Sequence, residues 1–360
     1  MTCCRPHERK VAYFFRYDTT SFVKETVGIV GAGSWGTALA ALLAKKGLQT
    51  VIWAYEPEVV AGISERHINP LFLSQYPLPK TLAATGDLET LLRQATILVN
   101  AVPSHFTRDT WSPIGKKIPT TTLVVNASKG FEIKSNKRLS QVLQECLPQI
   151  AAGNILTISG PSFAEEVIAG QPTMMVVAGT DAKNTQKIQQ LFRSSSFMTY
   201  VSDDIIGVEI GGAVKNVIAI GCGVCDGMGL GFNTRAALIT RGLYEIAKLG
   251  KALGANPLTF VGLTGMGDLI LTCTGDLSRN RSVGFRLGKG EKLADILKTM
   301  QQVAEGIKTA QSVYTLMRQY KIHAPLCTEI YRMLYENKLP AQSLQDLEKL
   351  ELKAELGGLL

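Results

Sequence analysis

The chain has 360 residues, of which 46% are hydrophobic and 19% charged. That is enough for two domains with separate cores and has the balance of a soluble globular enzyme. The formal net charge of +8 comes from dispersed basic residues, clustered only at Arg279-Asn280-Arg281 and in short lysine pairs, so it suits small anionic ligands and sets aside a nucleic-acid partner. Seven cysteines, an odd number without framework spacing, point to a reducing compartment and not to a disulfide scaffold.

Met1 to Glu25 mixes charges with Tyr13-Phe14-Phe15 and lacks an apolar core followed by a cleavage site. It is read as an N-terminal extension without a secretory signal, either a flexible arm or residues upstream of the true start. Val27-Gly-Ile-Val-Gly31 then reads as a strand, Gly31-Ala-Gly33-Ser-Trp-Gly36 as a glycine turn, and Thr37 to Ala44 as a helix. This is the order a dinucleotide needs. Gly31 permits the turn, Gly33 lets the backbone approach a pyrophosphate, Gly36 lets helix pack on strand, and the helix N-terminus faces the anion. Thr50 to Glu56 reads as the next strand. Glu56, about 20 residues past the last glycine, is suited to the ribose hydroxyls of NAD. No basic residue occurs in Ala54-Tyr-Glu-Pro-Glu58, so the site leans to NAD over NADP. The alternative for Glu56 is a solvated acid ahead of Pro57.

Continuous apolar runs follow at 95–103, 121–128, 154–159 and 173–178, alternating with helical stretches such as 137–147 and 181–192. Continuous runs suit parallel strands buried on both faces, so residues 26–203 read as an open, doubly wound α/β domain. Three polar, glycine-rich segments stand at its strand ends: Pro103 to Phe106, Ser128-Lys129-Gly130, and Ser159 to Ala164. Ends on one sheet edge converge, so these segments are candidates for one site.

From Asp204 the pattern is helical: 208–220, 234–252, 293–300, 306–319 and 327–335. Residues 204–352 read as an all-α domain, with a cleft expected between the halves and 353–360 as a tail. The most apolar region, Ile210 to Phe232, is glycine-rich and interrupted by Lys215 and Asp226, so no run is expected to span a membrane. Cys222-Gly-Val-Cys225 lacks a second pair or spaced histidines, so it reads as small residues of a packed helix, with no metal expected. Lys215 stands alone in an apolar, glycine-lined helix. Burial lowers a lysine's pKa and makes it a usable acid-base group, the alternative being a stem that packs while the ammonium reaches water. Gly211 and Gly212 are expected to let a ligand approach the backbone. Ser278, Arg279 and Asn280 offer donors and a charge for a phosphate, and Asp268 a partner for a lysine or hydroxyl.

Taken together, Gly31 to Ala40, Val102 to His105, Ser128 to Gly130, Ser159 to Ala164, Ile206 to Val217, Asn233 to Gly242, Gly267 to Leu269, Leu271 to Thr274, Ser278 to Arg281 and Val303 to Gly306 resemble the bacterial NAD(P)-dependent glycerol-3-phosphate dehydrogenases. The resemblance runs from about Thr26 to about Leu347. It implies reversible hydride transfer between NAD(P)H and dihydroxyacetone phosphate in a cytoplasmic, dimeric enzyme feeding glycerophospholipid synthesis. It implies Lys215 as proton acceptor, and Lys129, Gly160, Ser162, Asp268, Ser278, Arg279 and Asn280 as substrate contacts. The implied cofactor contacts are Ser34, Trp35, Tyr55, Lys129, Ala164, Arg279, Val303 and Glu305. Tyr55 stands where many members carry His or Arg, which leaves the choice between NADH and NADPH open. The competing readings are a different hydroxy-acid substrate on the same fold, a regulatory nucleotide-binding protein, and a dehydrogenase with His105 as its base.

Overall fold

The computed structural model describes residues 25–300, 303–351, 354, 355 and 357. The N-terminal extension, save Glu25, and most of the tail lie outside the described residues.

The apolar runs form one eight-stranded sheet: β1 (Thr26–Val30), β2 (Gln49–Trp53), β3 (Ala83–Thr85), β4 (Ile97–Asn100), β5 (Leu123–Asn126), β6 (Ile155–Ser159), β7 (Thr173–Ala178) and β8 (Phe197–Ser202). Their order is β3-β2-β1-β4-β5-β6-β7-β8. The chain reverses its progress across the sheet between β1 and β4, the crevice where open α/β sheets hold ligands. Interleaved helices are α1 (Ser34–Lys45), α2 (Pro57–Arg66), α3 (Leu88–Gln94), α4 (Thr107–Trp111), α5 (Leu139–Cys146), α6 (Ala164–Ile168) and α7 (Ala182–Phe192). The central strands are buried on both faces. Ile29, Ile52, Val99 and Val125 join one core with α1 and α7, while Val30, Leu98 and Val124 join another with Trp111 and α5.

One pairing departs from the parallel expectation: β7 runs antiparallel to β6. The link between them carries only the five-residue α6. That helix advances roughly 8 Å, against roughly 16 Å for a five-residue strand, too little to return the chain to the other sheet edge. β8 then pairs with β7 in parallel after the longer α7.

Eight α-helices follow among the described residues: α8 (Ile205–Gly227), α9 (Phe232–Ala252), α10 (Asp268–Thr274), α11 (Arg279–Gly288), α12 (Leu293–Thr299), α13 (Glu305–Gln319), α14 (Pro325–Tyr335) and α15 (Pro340–Glu348). Helices α9, α10, α11, α13 and α14 pack around α8, while α12 packs on α11 and α15 on α14; Asp204 caps α8 by accepting the Gly207 N–H at 2.8 Å. At 23 residues α8 is long and apolar enough to cross a membrane, contrary to the sequence expectation, yet it is almost wholly buried within the protein. Glycines bring α11 against it. A Cβ on Gly223 would stand 2.0 Å from the Arg281 carbonyl, and one on Gly284 1.9 Å from that of Ile220. Cys222 and Cys225 are buried on this packed helix.

Candidate functional site

A cleft of about 1420 Å³ opens where the carboxyl ends of β1, β2, β4, β5 and β6 meet α8, α10, α11 and the α12–α13 link. Its sheet side begins with the glycine turn. Gly31 has φ +113°, and a Cβ there would meet the Ala101 backbone at 2.9 Å, so glycine is required. Gly36 carries no wall of the cleft; a Cβ there would stand 1.9 Å from the Gly31 carbonyl, so its absence lets α1 close on the turn. Gly33 is the N-cap of α1, has open space above its Cα, and brings no capping side chain, and the first turn holds no acid. These features leave the positive end of a twelve-residue helix turned to the cleft, which fits a pyrophosphate. Ser34 and Trp35 line the same wall, and Trp35 Nε1 donates to the Ala127 carbonyl at 3.0 Å. Tyr55, 82% exposed, and Glu56 line the end beyond β2.

The three predicted strand-end segments each reach the cleft, through Pro103 and Phe106, Ser128 and Lys129, and Ser162 to Ala164. Gly160 stands behind the lining at φ +146°, and its carbonyl accepts from Lys129 Nζ at 3.0 Å and Ser162 Oγ at 3.1 Å. His105 does not line the cleft. Burial, and then the charge of Lys308, push its pKa down to about 4, too low for a base that must hold a proton near neutrality.

The chemistry gathers around one carboxylate. Asp268 is completely buried at the start of α10. Its Oδ1 accepts from Lys215 Nζ at 2.5 Å and its Oδ2 from Lys129 Nζ at 2.7 Å. Lys215 Nζ also donates to Thr272 Oγ1 at 2.6 Å, and that hydroxyl donates on to the Asp268 carbonyl at 2.6 Å. Lys215 is 6% exposed. Burial lowers its pKa to about 8, Asp268 pulling it up and Lys129 pushing it down. The alternative of an ammonium snorkelling to water therefore fails. Gly211 and Gly212 do not line the cleft. A Cβ on either would stand 2.5 Å from the Thr264 carbonyl or Ser159 Oγ, so they seat α8 on the protein and not on a ligand.

Ser278, Arg279 and Asn280 all line the cleft but divide their work. Ser278 Oγ accepts the Arg281 N–H at 3.2 Å, capping α11. Asn280 is engaged on both sides, donating to Asn216 Oδ1 at 2.9 Å and accepting the Gly306 N–H at 2.9 Å. Arg279 has no hydrogen-bond or ion-pair partner among the described residues, and it stands at the amino end of α11. Val303 and Glu305 complete the wall. Glu305 accepts from Ser104 Oγ at 2.6 Å and from the Ser104 N–H at 3.2 Å, and burial raises its pKa. Sequence reasoning did not single out Thr272, Asn216 or Ser104. A threonine one turn after Asp268, on the same helix face, was the available signal for the first.

Residues 26–185 match the family profile described as NAD-dependent glycerol-3-phosphate dehydrogenase N-terminus, and 204–345 the corresponding C-terminus. A protein named glycerol-3-phosphate dehydrogenase (NAD(P)+) from Geobacter metallireducens is 48% identical over 333 residues, 92% of this chain and 99% of that one. One of the same name from Geobacter sulfurreducens is 47% identical over the same shares. The crystal structure of glycerol-3-phosphate dehydrogenase from Coxiella burnetii superposes with a TM-score of 0.87 at 37% identity, covering 91% of this chain and 99% of that one.

Proposed function

The chain belongs to the NAD-dependent glycerol-3-phosphate dehydrogenase family and catalyses reversible hydride transfer between NAD(P)H and dihydroxyacetone phosphate, and on that premise we propose that Lys215 donates and accepts the reaction's proton. The observation that carries this reading is the buried Lys215 held against Asp268 in the wall of a cleft headed by the glycine turn.

Bound NAD(P)H supplies the hydride that the ketone carbon takes up. The glycine turn, Ser34, Trp35, Tyr55, Glu56, Lys129, Ala164, Arg279, Val303 and Glu305 are the cleft residues that would hold the coenzyme, its pyrophosphate at the amino end of α1. As the ketone oxygen gains charge, protonated Lys215 hydrogen-bonds it and gives up a proton; in reverse, neutral Lys215 takes the hydroxyl proton. Lys129 adds positive charge beside the same oxygen. Asp268 keeps both ammonium groups aimed and holds a compensating charge in a site where two unpaired cations would repel. Arg279 and the first-turn amides of α11 bind the phosphate, which fixes the reacting carbon. Ser162 and Gly160 border the substrate, while Ser278 and Asn280 act on it through the shape of α11.

Arg279, Lys129 and Lys215 are the basic residues among the described lining, and Glu56 stands at the far end. A 2'-phosphate there would meet a carboxylate and no cation, which favours NADH over NADPH. The division at 203/204 follows the end of the sheet, and the family supports a cytoplasmic homodimer, for which sedimentation should return twice the chain's mass. The deciding experiment is the initial rate of NADH and NADPH oxidation by the purified protein with and without dihydroxyacetone phosphate. Oxidation that requires the ketone phosphate and is faster with NADH is expected. No oxidation by folded protein with either coenzyme would overturn the reading.

A further inference from the structure

Asn69 lies between α2 and β3, completely buried, and does not line the cleft. All four hydrogen-bonding positions of its amide are used. Nδ2 donates to the Ala32 carbonyl and to Thr37 Oγ1, both at 2.8 Å. Oδ1 accepts the N–H groups of Leu71 at 3.2 Å and Phe72 at 3.0 Å. Thr37 Oγ1 adds a second donor to the Ala32 carbonyl at 3.2 Å.

Ala32 is the residue between the first two glycines of the turn, and Phe72 is part of the cleft wall. The peptide joining Ala32 to Gly33 is trans, so its carbonyl and its N–H point in opposite directions. Two donors hold the carbonyl toward the protein interior. The Gly33 N–H must then point the other way, and it has no partner among the described residues. The peptide joins an alanine to a glycine, and the wide φ range of Gly33 lets it flip unless something outside the turn fixes it.

We propose that Asn69, with Thr37, is a positioning residue for the dinucleotide: it locks the Ala32–Gly33 peptide with its N–H presented to the coenzyme and seats Phe72 against the same ligand. This rests on the dinucleotide reading of the cleft. Asparagine is needed because the site demands two donors and two acceptors from one small planar group. An aspartate of equal size keeps the acceptor for Leu71 and Phe72 but turns an oxygen toward the Ala32 carbonyl, which removes the shorter of the two hydrogen bonds that restrain the peptide and puts repulsion in its place.

The test uses the full chain, with NADH as the probe. Asn69→Asp should weaken NADH binding, followed by protein fluorescence, by about tenfold or more, the scale set by one lost buried hydrogen bond. The turnover rate at saturating NADH and the KM for dihydroxyacetone phosphate should stay within about twofold, because the proton-transfer residues are untouched. Thr37→Val removes the second donor without adding charge and should shift NADH affinity in the same direction by about threefold to fivefold, and it decides the matter if Asn69→Asp does not fold. NADH affinity equal to wild type in the folded variants would overturn the proposal, as would a loss of turnover with NADH affinity unchanged. Failure of the wild-type protein to bind NADH is a separate result and would instead strike the functional reading.

Discussion

Lys215 owes its usefulness to two opposed effects. Burial strips its ammonium of water and drives the pKa down, while Asp268 at 2.5 Å pulls it back, leaving it at about 8. On the proposed mechanism the protonated form is the reactive one in the reducing direction. The reductive kcat should therefore be at full value below about pH 8 and fall as pH rises through it, with the oxidative direction showing the opposite limb. Lys215→Ala should cost about 10²- to 10⁴-fold in kcat, read from initial rates, with NADH affinity near wild type. Near-normal turnover would remove Lys215 from the chemistry. Asp268→Asn takes away the carboxylate that does most to raise the lysine's pKa, so burial and Lys129 weigh more heavily. The reductive pH limb should move to lower pH than in the wild type, and an unmoved limb would mean that Asp268 does not set the lysine's proton affinity.

At the scale of elements, α11 illustrates how a site is made by a helix end. Its N-cap, Ser278, is buried, and its first residue, Arg279, lines the cleft and is the cation proposed to meet the phosphate. Ser278→Ala should lower stability by about 1 kcal/mol in urea unfolding and raise the KM for dihydroxyacetone phosphate more than that for NADH, because the first turn loses its restraint. Unchanged values of both would show that packing on α8 alone holds the turn. In the sequence, Ser278 to Arg281 stands out as polar and basic, but the helix beginning there does not. Three arginines, an asparagine and a serine outnumber its apolar side chains, and its packed face is marked by glycines at 284 and 288, which periodicity reads as breaks. β3 is three residues with two alanines, and β8 lies behind a serine run, so neither carries the apolar signal that exposes the central strands. The glycine turn, its helix and Lys215 are legible because steric and burial rules act locally there. The meeting of Lys129 and Lys215 on Asp268 is not, since 139 and 53 residues separate the partners. Asn69 escapes notice for the same reason: nothing around it in sequence shows that it is buried beneath the turn.

At the scale of the whole molecule, the cleft exists only while the sheet and the α8 bundle hold their relative position, and Glu209 is one buried polar tie between them, beside Lys129–Asp268 and Ser104–Glu305. It sits on α8 a turn and a half before Lys215, buried, and reaches into the sheet layer. Its carboxylate accepts from Ser140 N–H at 2.8 Å, Ser140 Oγ at 2.5 Å, Asn126 Nδ2 at 3.2 Å and an Arg138 guanidinium nitrogen at 2.7 Å. The acceptor thus links the end of β5 and the start of α5 to the helix that carries Lys215. The Arg138 partner is largely buried as well. Glu209→Ala leaves that guanidinium, an amide and a hydroxyl without their acceptor, and a broken buried pair costs about 3 to 5 kcal/mol. Denaturant unfolding should show a loss on that scale. Because Lys215 and Lys129 are carried by opposite sides of the tie, kcat should fall by more than coenzyme affinity, part of which comes from the glycine turn on the sheet side alone. A loss under about 1 kcal/mol, the scale of an exposed pair, would mean that apolar packing of α8 sets the alignment and that the carboxylate adds little.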